Sequence, residues 1–484
     1  MGPVNTTSNN NNYTVDGVMK DGTSGTAQNI TWTTSIDGSP TSPITLSNRW
    51  IYKFQNVSNS YANWTSLTQT SPLAVAQGFT LKGSGAATAT QNYTFVGKPN
   101  NAAITTTVAS TNLNLCGNPY PSAIDANAFI TVNSTAITGT LYFWQHSSTN
   151  NTHVLSGYQG GYAAINLTGG IAPVAPSLIN GLGSSAKVPK RYIPVGQGFF
   201  VVGSAVGGTI TFDNSIRGFI KEDDAVNSTT LFKNSTTIPN QNSLYYNAED
   251  VVATDTFKRV RIGMKSTDNY YRQILLGFME NNATEGYDVG YDGINIDTQL
   301  NDMYFMNSGL KLNIQGVGYF DATKSYPLGI KANSAGVVNI SLDNTENIDT
   351  NQNVYIFDAT TGEYHDITTT PYSVSLPQGL TENRFSLTFT DNTTLTSTNY
   401  NLQNGITIAY ANSSSVLSIK NNIVDTTIEQ IKLYNMLGQE VAIYSVKDQN
   451  QQNILVPIKN FSTGTYIVKV KTDKGDTERK IVFN

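Results

Sequence analysis

Residues 283–293 hold the best constellation of hard oxygen ligands in the chain, with Glu285, Asp288 and Asp292 spaced among Gly286, Gly290 and Gly293. Calcium takes six to eight oxygens at about 2.3–2.6 Å, and backbone carbonyls in a glycine-rich turn can complete a shell that carboxylates begin. The spacing is not that of an EF-hand. The same aspartates would equally satisfy backbone N–H groups as Asx-turns. Calcium at Glu285, Asp288 and Asp292 is the metal expectation, and no other cofactor is expected.

Other chemistry is thinly supplied. His146, His153 and His365 are the only histidines. The first two flank a short loop that would set them on facing hairpin strands, but without a cysteine or nearby carboxylate they make a poor zinc site. No G-x-S-x-G, H-E-x-x-H or phosphate-loop pattern occurs. Cys116, after the alternating Leu113 and Leu115, reads as buried filler rather than a nucleophile. The acidic clusters Glu222, Asp223, Asp224 and Glu249, Asp250 could serve glycoside hydrolysis, yet both lie in polar, linker-like sequence. Trp50, Trp64, Trp144, Tyr158 and Tyr162 could line a sugar-stacking face, although aromatics at strand spacing usually belong to a core. No catalytic set assembles, so the expectation is a protein that is not an enzyme.

The elements that must position these groups are strands. Charged residues make up 13% of the 484-residue chain, hydrophobic residues 39%, with 40 glycines, 26 tyrosines and 19 phenylalanines. Short alternating runs separated by Gly, Asn, Thr and Ser predict an all-β chain of several β-sandwich (jelly-roll or Ig-like) domains in tandem. A net charge of −5 without a basic stripe argues against a nucleic-acid partner. No apolar run reaches the roughly 18 residues of a membrane-spanning helix. One cysteine cannot form an internal disulfide, and domains of this size do not depend on one. The first residues lack a charged head and an apolar stretch, so the chain is expected to be a mature or trimmed piece of a longer precursor.

Residues 1–48 are polar, with a tract of asparagines at 9–12, and are expected to contribute an edge strand or to be partly loose. Residues 49–219 read as a β-rich domain with an imperfect internal duplication. In it Gln77, Gly78 and Phe79 are echoed by Gln197, Gly198 and Phe199, and the aromatic run at 50–54 by that at 141–144. Two Gly-X-Pro turns, at Gly97 and Gly117, separate the units. Residues 220–244 read as a linker and 245–390 as a second sandwich, with strands such as Arg259, Val260, Arg261, Ile262. Residues 391–404 form a second linker, and 405–484 a small terminal domain.

That terminal domain carries the sharpest signal. Leu433, Tyr434, Asn435, Met436, Leu437, Gly438, Gln439, Glu440 and Val441 form one motif. Gly464, Thr465, Tyr466, Ile467, Val468, Lys469 and Val470 form a second, and Arg479, Lys480, Ile481 and Val482 a third. In type and order they closely resemble the C-terminal sorting domain of proteins exported by the type IX secretion system of Bacteroidetes. The resemblance implies a secretion signal at Leu433, Tyr434, Asn435, Leu437, Gly438, Gly464, Tyr466, Val468, Val470, Lys480 and Ile481. It also implies recognition by the outer-membrane translocon and its sorting machinery, and a route through the periplasm to the cell surface or the medium. Lys469, Lys471, Arg479 and Lys480 would offer a charged face to a partner or else a merely solvated one, while Gly438 and Gly464 would hold turns that a Cβ would strain. Residues 115–217 resemble a region common in large surface proteins of Bacteroidetes, for which no chemistry follows. Function is thus expected to be that of a non-enzymatic adhesin or structural surface protein. The alternative is a carbohydrate-binding module, with surface polysaccharide as partner, or the C-terminal part of a secreted hydrolase.

Overall fold

A computed structural model describes residues 2–8, 10–54, 63–85, 91–146, 160–176, 188–220, 256–296, 298–391, 406–411, 415–423, 426–446, 452–458, 461–473 and 475–483. Strands predominate, as the composition predicts, and the helices are short, chiefly Val15–Val18 and Ala126–Val132. The second escaped the sequence reading because it is only two turns long. Its one local signal is Asp125, which accepts hydrogen bonds from Asn127 N at 2.9 Å and Ala128 N at 3.3 Å and so caps the helix. The chain forms two compact units, Met1–Asp391 and Asn392–Asn484.

In the larger unit the polar N-terminus is ordered into the core. Val4, Tyr13, Val15, Val18, Met19, Ile30, Ile44 and Leu46 are all buried there. The asparagines that made the segment look loose hold it together instead. Asn5 Nδ2 donates to Asn12 O at 2.7 Å, and Asn100 Oδ1 accepts from Asn10 N at 2.9 Å. Asparagine supplies both donor and acceptor, so a tract of them can satisfy an irregular backbone without regular structure.

A five-stranded sheet follows, in the order Leu113–Gly117, Gly198–Val202, Leu141–His146, Gly160–Ile165, Gly170–Ile171. The two Gln-Gly-Phe motifs flank its first strand. Cys116 pairs with Phe199 on one side and bridges to Gln77 on the other, where Gly78 N donates to Leu115 O at 2.9 Å. Alternation splits this sheet cleanly. Leu141, Phe143, Phe199 and Val201 face the core shared with the N-terminus, while Tyr142, Phe200, Leu113 and Leu115 face the opposite way.

The rest of the unit is a twelve-stranded sheet whose path runs from Glu363–Asp366 to Tyr372–Leu376. At its centre Lys258–Lys265 pairs antiparallel with Tyr270–Phe278, the turn closed by Asn269 at φ +60°. Val260, Ile262, Ile274, Leu276 and Phe278 enter one core. The residues expected to form two separate sandwiches are joined here. Ala175–Pro176 pairs with Tyr270–Phe278, and Leu275 and Ile314 pack in one cluster with Tyr142 and Phe200. Gly139 sits so close to Gly290 that a Cβ on it would meet the Gly290 Cα at 2.4 Å. The segment expected as the linker, 220–244, lies almost wholly outside the described residues.

In the smaller unit Ile406–Ala411, Val416–Asn421 and Asn453–Pro457 make a three-stranded sheet. Glu440–Ser445, Ile428–Asn435, Gly464–Thr472 and Gly475–Phe483 make a four-stranded one. Ile408, Leu417, Ile419 and Val456 from the first share one core with Ile431, Leu433, Val468, Val470 and Phe483 from the second.

Candidate functional site

The terminal motifs fall on the four-stranded sheet, and the structure assigns each residue a physical task. Leu433, Val468 and Val470 are fully buried, and Tyr466 and Ile481 nearly so. Tyr466 stacks on Phe483 with centroids 4.6 Å apart, its hydroxyl donating to Ser462 O at 3.0 Å. Tyr434 pairs with Ile467 and Glu440, and Lys480 pairs with Ile467 on the outer face. Asn435 builds the hairpin turn: its Oδ1 accepts from Leu437 N and Gln439 N, both at 3.0 Å. Gly438 takes φ +78°, the left-handed conformation that favours glycine. The result lifts Leu437, 85% exposed, to the tip.

Two expectations about this unit change. Gly464 does not sit at positive φ, and a Cβ there would make only an ordinary 3.7 Å contact with the Tyr466 ring. Nor do the four basic residues form one free cationic face. Lys469 pairs with Asp476 at 2.8 Å and Lys471 with Glu429 at 2.9 Å, while Arg479, itself exposed, donates to Ile408 O at 2.9 Å. Strand alternation shows which side a residue takes, but not which acid the neighbouring strand brings beside it.

In residues 283–293 the three carboxylates do not fit a shared calcium shell. Glu285 Oε1 pairs with Lys324 Nζ at 2.6 Å. Asp288 Oδ2 accepts from Thr284 N at 2.6 Å and from the Thr284 hydroxyl at 2.9 Å. Asp292 Oδ2 accepts from Asp288 N at 2.7 Å, and its Oδ1 from Gly316 N at 2.9 Å. Among the described residues no group of three or more His, Cys, Asp or Glu side chains stands where it could hold a metal. The loop instead docks the unit's two halves: Gly290 N donates to Thr138 O at 3.0 Å, and the Thr140 hydroxyl to Asp292 O at 3.1 Å.

Burial pushes the Asp292 carboxyl up to about 7, against the lowering effect of the Asp288 and Gly316 N–H donors. Its folded-state value thus lies above that of the unfolded chain, and the stability it contributes is present at low pH and lost as pH rises through about 7. For this group the loss between pH 6 and pH 8 is about 1.4 kcal/mol. Asp292→Asn carries no titrating proton, so urea unfolding of the variant should lack that part of the slope. Asp343, also pushed up by burial, is common to both proteins and cancels in the comparison. An equal pH slope in the two proteins would contradict this assignment.

The remaining sequence candidates scatter. His365 stacks on Tyr372 with centroids 3.8 Å apart. Tyr372 in turn donates to Asp358, whose carboxyl the bidentate Arg384 holds well below the usual range. Cys116 is buried, and burial pushes its thiol up, which suits packing rather than nucleophilic attack. His153, Tyr158, the acidic cluster at 222–224 and that at 249–250 lie outside the described residues, as does the side chain of His146. Trp64 meets Phe54 and Phe200 edge-on at 5.2 and 5.8 Å, and Trp144 meets Tyr162 at 5.0 Å.

One group had no signal in the sequence. Arg272, 4% exposed at its side chain, donates from Nε to Asp302 Oδ1 at 2.6 Å. Asp302 also accepts from Asn295 Nδ2 at 2.9 Å and Gln299 N at 3.0 Å. Arg272, Asn295 and Gln299 border a small cleft whose other wall includes Tyr142 and Tyr162 of the five-stranded sheet. Arg272 lies thirty residues from Asp302, so no local pattern announces the pair.

A family model described as "Domain of unknown function (DUF8693)" matches residues 4–389. A second, described as "Secretion system C-terminal sorting domain", matches residues 411–484. No curated protein matches the chain.

Proposed function

The chain belongs, through residues 4–389, to the family described as Domain of unknown function (DUF8693) and carries a secretion-system sorting domain at 411–484, and from this premise we propose that it is a surface protein of a Bacteroidetes cell. The sorting domain implies export to the cell surface or medium as type IX cargo, in contact with that machinery. No helix among the described residues is long and apolar enough to cross a membrane. On this reading the terminal unit is the address, reached through the periplasm and read by the outer-membrane translocon, and the body of 4–389 works outside as a non-enzymatic adhesive or structural element. The observation that carries the reading is the terminal unit, where all three motifs lie on one four-stranded sheet with Leu433, Tyr466, Val468, Val470 and Ile481 in a single core.

The non-catalytic part of the proposal is supported by how the acidic groups are used. Glu285, Asp288, Asp292, Asp302, Glu346 and Asp358 each hold a backbone N–H or a basic side chain. Cells of a type IX host that display the full chain should attach to polysaccharide-coated or abiotic surfaces more than cells displaying only residues 392–484. Equal attachment would remove the adhesive role. A secreted-hydrolase reading would require turnover of glycans or peptides by the purified chain. A carbohydrate-binding reading would require retention of glycans by the purified chain.

A further inference from the structure

We propose that the hairpin turn at 435–439 and the strand that leaves it, Glu440–Ser445, dock into an uncharged apolar groove of the export machinery, with Leu437 as the leading side chain. The inference rests on the reading of the terminal unit as a sorting address and names the surface by which that address is read. Four residues carry it: Met436 and Leu437 in the turn, Val441 and Ile443 on the strand. All four are large, apolar and more than a third exposed. Ala442 and Tyr444 of the same strand pack on the core, so by alternation Val441 and Ile443 face away from it.

The turn is built to present side chains rather than to pack them. Asn435 commits its oxygen to the Leu437 and Gln439 N–H groups, and its amide donates to Gln439 Oε1 at 2.9 Å. A Cβ on Gly438 would meet nothing within 4 Å, so among the described residues no neighbour closes over the loop. The polar members of the motif therefore fix the turn, while its two large apolar members gain nothing from the fold. A single exposed apolar residue needs no explanation, but a contiguous group of them marks a contact surface.

The two edges of the four-stranded sheet point to the same place independently. Gly475–Phe483 at one edge carries four exposed charges, Asp476, Glu478, Arg479 and Lys480, the usual device against unwanted pairing. Glu440–Ser445 at the other edge pairs only with Ile428–Asn435 among the described residues. Its one charge, Glu440, is taken up by Lys432 at 2.9 Å. The edge beside Leu437 is thus left both apolar and electrically neutral, which selects an apolar groove over an acidic or basic one. Four side chains cover on the order of a few hundred Å², well short of the roughly 800 Å² per partner that a stable complex buries. A brief contact with the machinery, released once the chain has passed, fits that area better than a second copy of this chain.

The test directs the full chain to the periplasm of a host with a type IX system and compares it with Leu437→Asp, Ile443→Asp and Leu455→Asp. Leu455 is the control, an exposed apolar residue on the three-stranded sheet of the same unit. Wild type and Leu455→Asp should reach the cell surface or medium alike. Leu437→Asp and Ile443→Asp should be exported about tenfold less, the loss of one apolar side chain from a contact, with unchanged melting temperatures. Leu437 lies in the turn and outside the core, so its variant still decides the matter if Ile443→Asp fails to fold. Export of a folded Leu437→Asp chain at the wild-type level overturns the docking surface. An equal loss in Leu455→Asp overturns it too, because the effect would then belong to any exposed apolar position. Sedimentation that shows a dimer split by Leu437→Asp, with export unchanged, assigns the surface to a second copy instead. A folded wild-type chain that stays in the periplasm removes the sorting reading itself, and this inference with it.

Discussion

A periplasm-targeted reporter fused to residues 392–484 should leave a cell that has a type IX system, and the same fusion lacking residues 477–484 should stay behind. They include residues 477–483 of the nine-residue edge strand Gly475–Phe483, which pairs with Gly464–Thr472 from Gly464–Phe483 to Thr472–Gly475. Their removal takes Ile481 and Phe483 out of a small core. Phe483 meets the Tyr410 ring at 4.5 Å and the Tyr466 ring at 4.6 Å, and Arg479 reaches across to Ile408 O. Burying one large apolar side chain contributes about 1.5–3 kcal/mol, so losing two removes about 3–6 kcal/mol from a unit of this size. Secretion and folding should therefore fail together in the truncated fusion. Circular dichroism of the purified fusions separates the causes. A reporter held in the periplasm although its intact terminal unit is folded would contradict the sorting role.

The second large effect is expected at Asp302. Asp302→Ala should destabilise the larger unit by about 3–5 kcal/mol, because it leaves the Arg272 guanidinium buried without its counter-charge. It also strips acceptors from Asn295 Nδ2, Gln299 N and Met303 N. Urea unfolding of the full chain measures the shift. The double variant Asp302→Ala, Arg272→Met should recover much of the loss, since an apolar pair of similar volume does not leave a bare charge. A single variant as stable as wild type would show that the pair is not desolvated as the structure has it. Glu346 offers a parallel case, holding Arg259 at 3.0 Å and also Arg261.

What local pattern can convey, the sequence conveyed. Alternation of apolar and polar residues marks strands, so Arg384, Phe385, Ser386, Leu387 lies within Gly379–Thr388 and Tyr466 to Val470 within Gly464–Thr472. The terminal motifs were readable for the same reason, since their tasks are local. Asn435 ties its own turn, Gly438 takes the conformation that turn requires, and Val468 and Val470 fall on one face two residues apart.

What alternation does not say is what covers each face. Arg259 and Arg261 alternate with Val260 and Ile262, which on paper is a core face and a solvent face. In the folded chain both arginines are buried, 5% and 2% exposed, with Arg259 donating to Thr168 O and Arg261 Nε to Gly170 O at 3.2 Å. The segment that covers them comes from about ninety residues earlier. At 283–293 both kinds of contact meet: Asp288 and Asp292 accept from the Thr284 and Asp288 N–H groups four residues earlier, as the turn reading of the sequence had it, and only the Gly316 N–H is brought to Asp292 by the fold. The sequence by itself therefore determined the strands and the terminal sorting domain. Only the tertiary structure decided which polar faces are buried against each other, because that depends on pairings distant in the chain, and it is at such a seam that the cleft beside Arg272 arises.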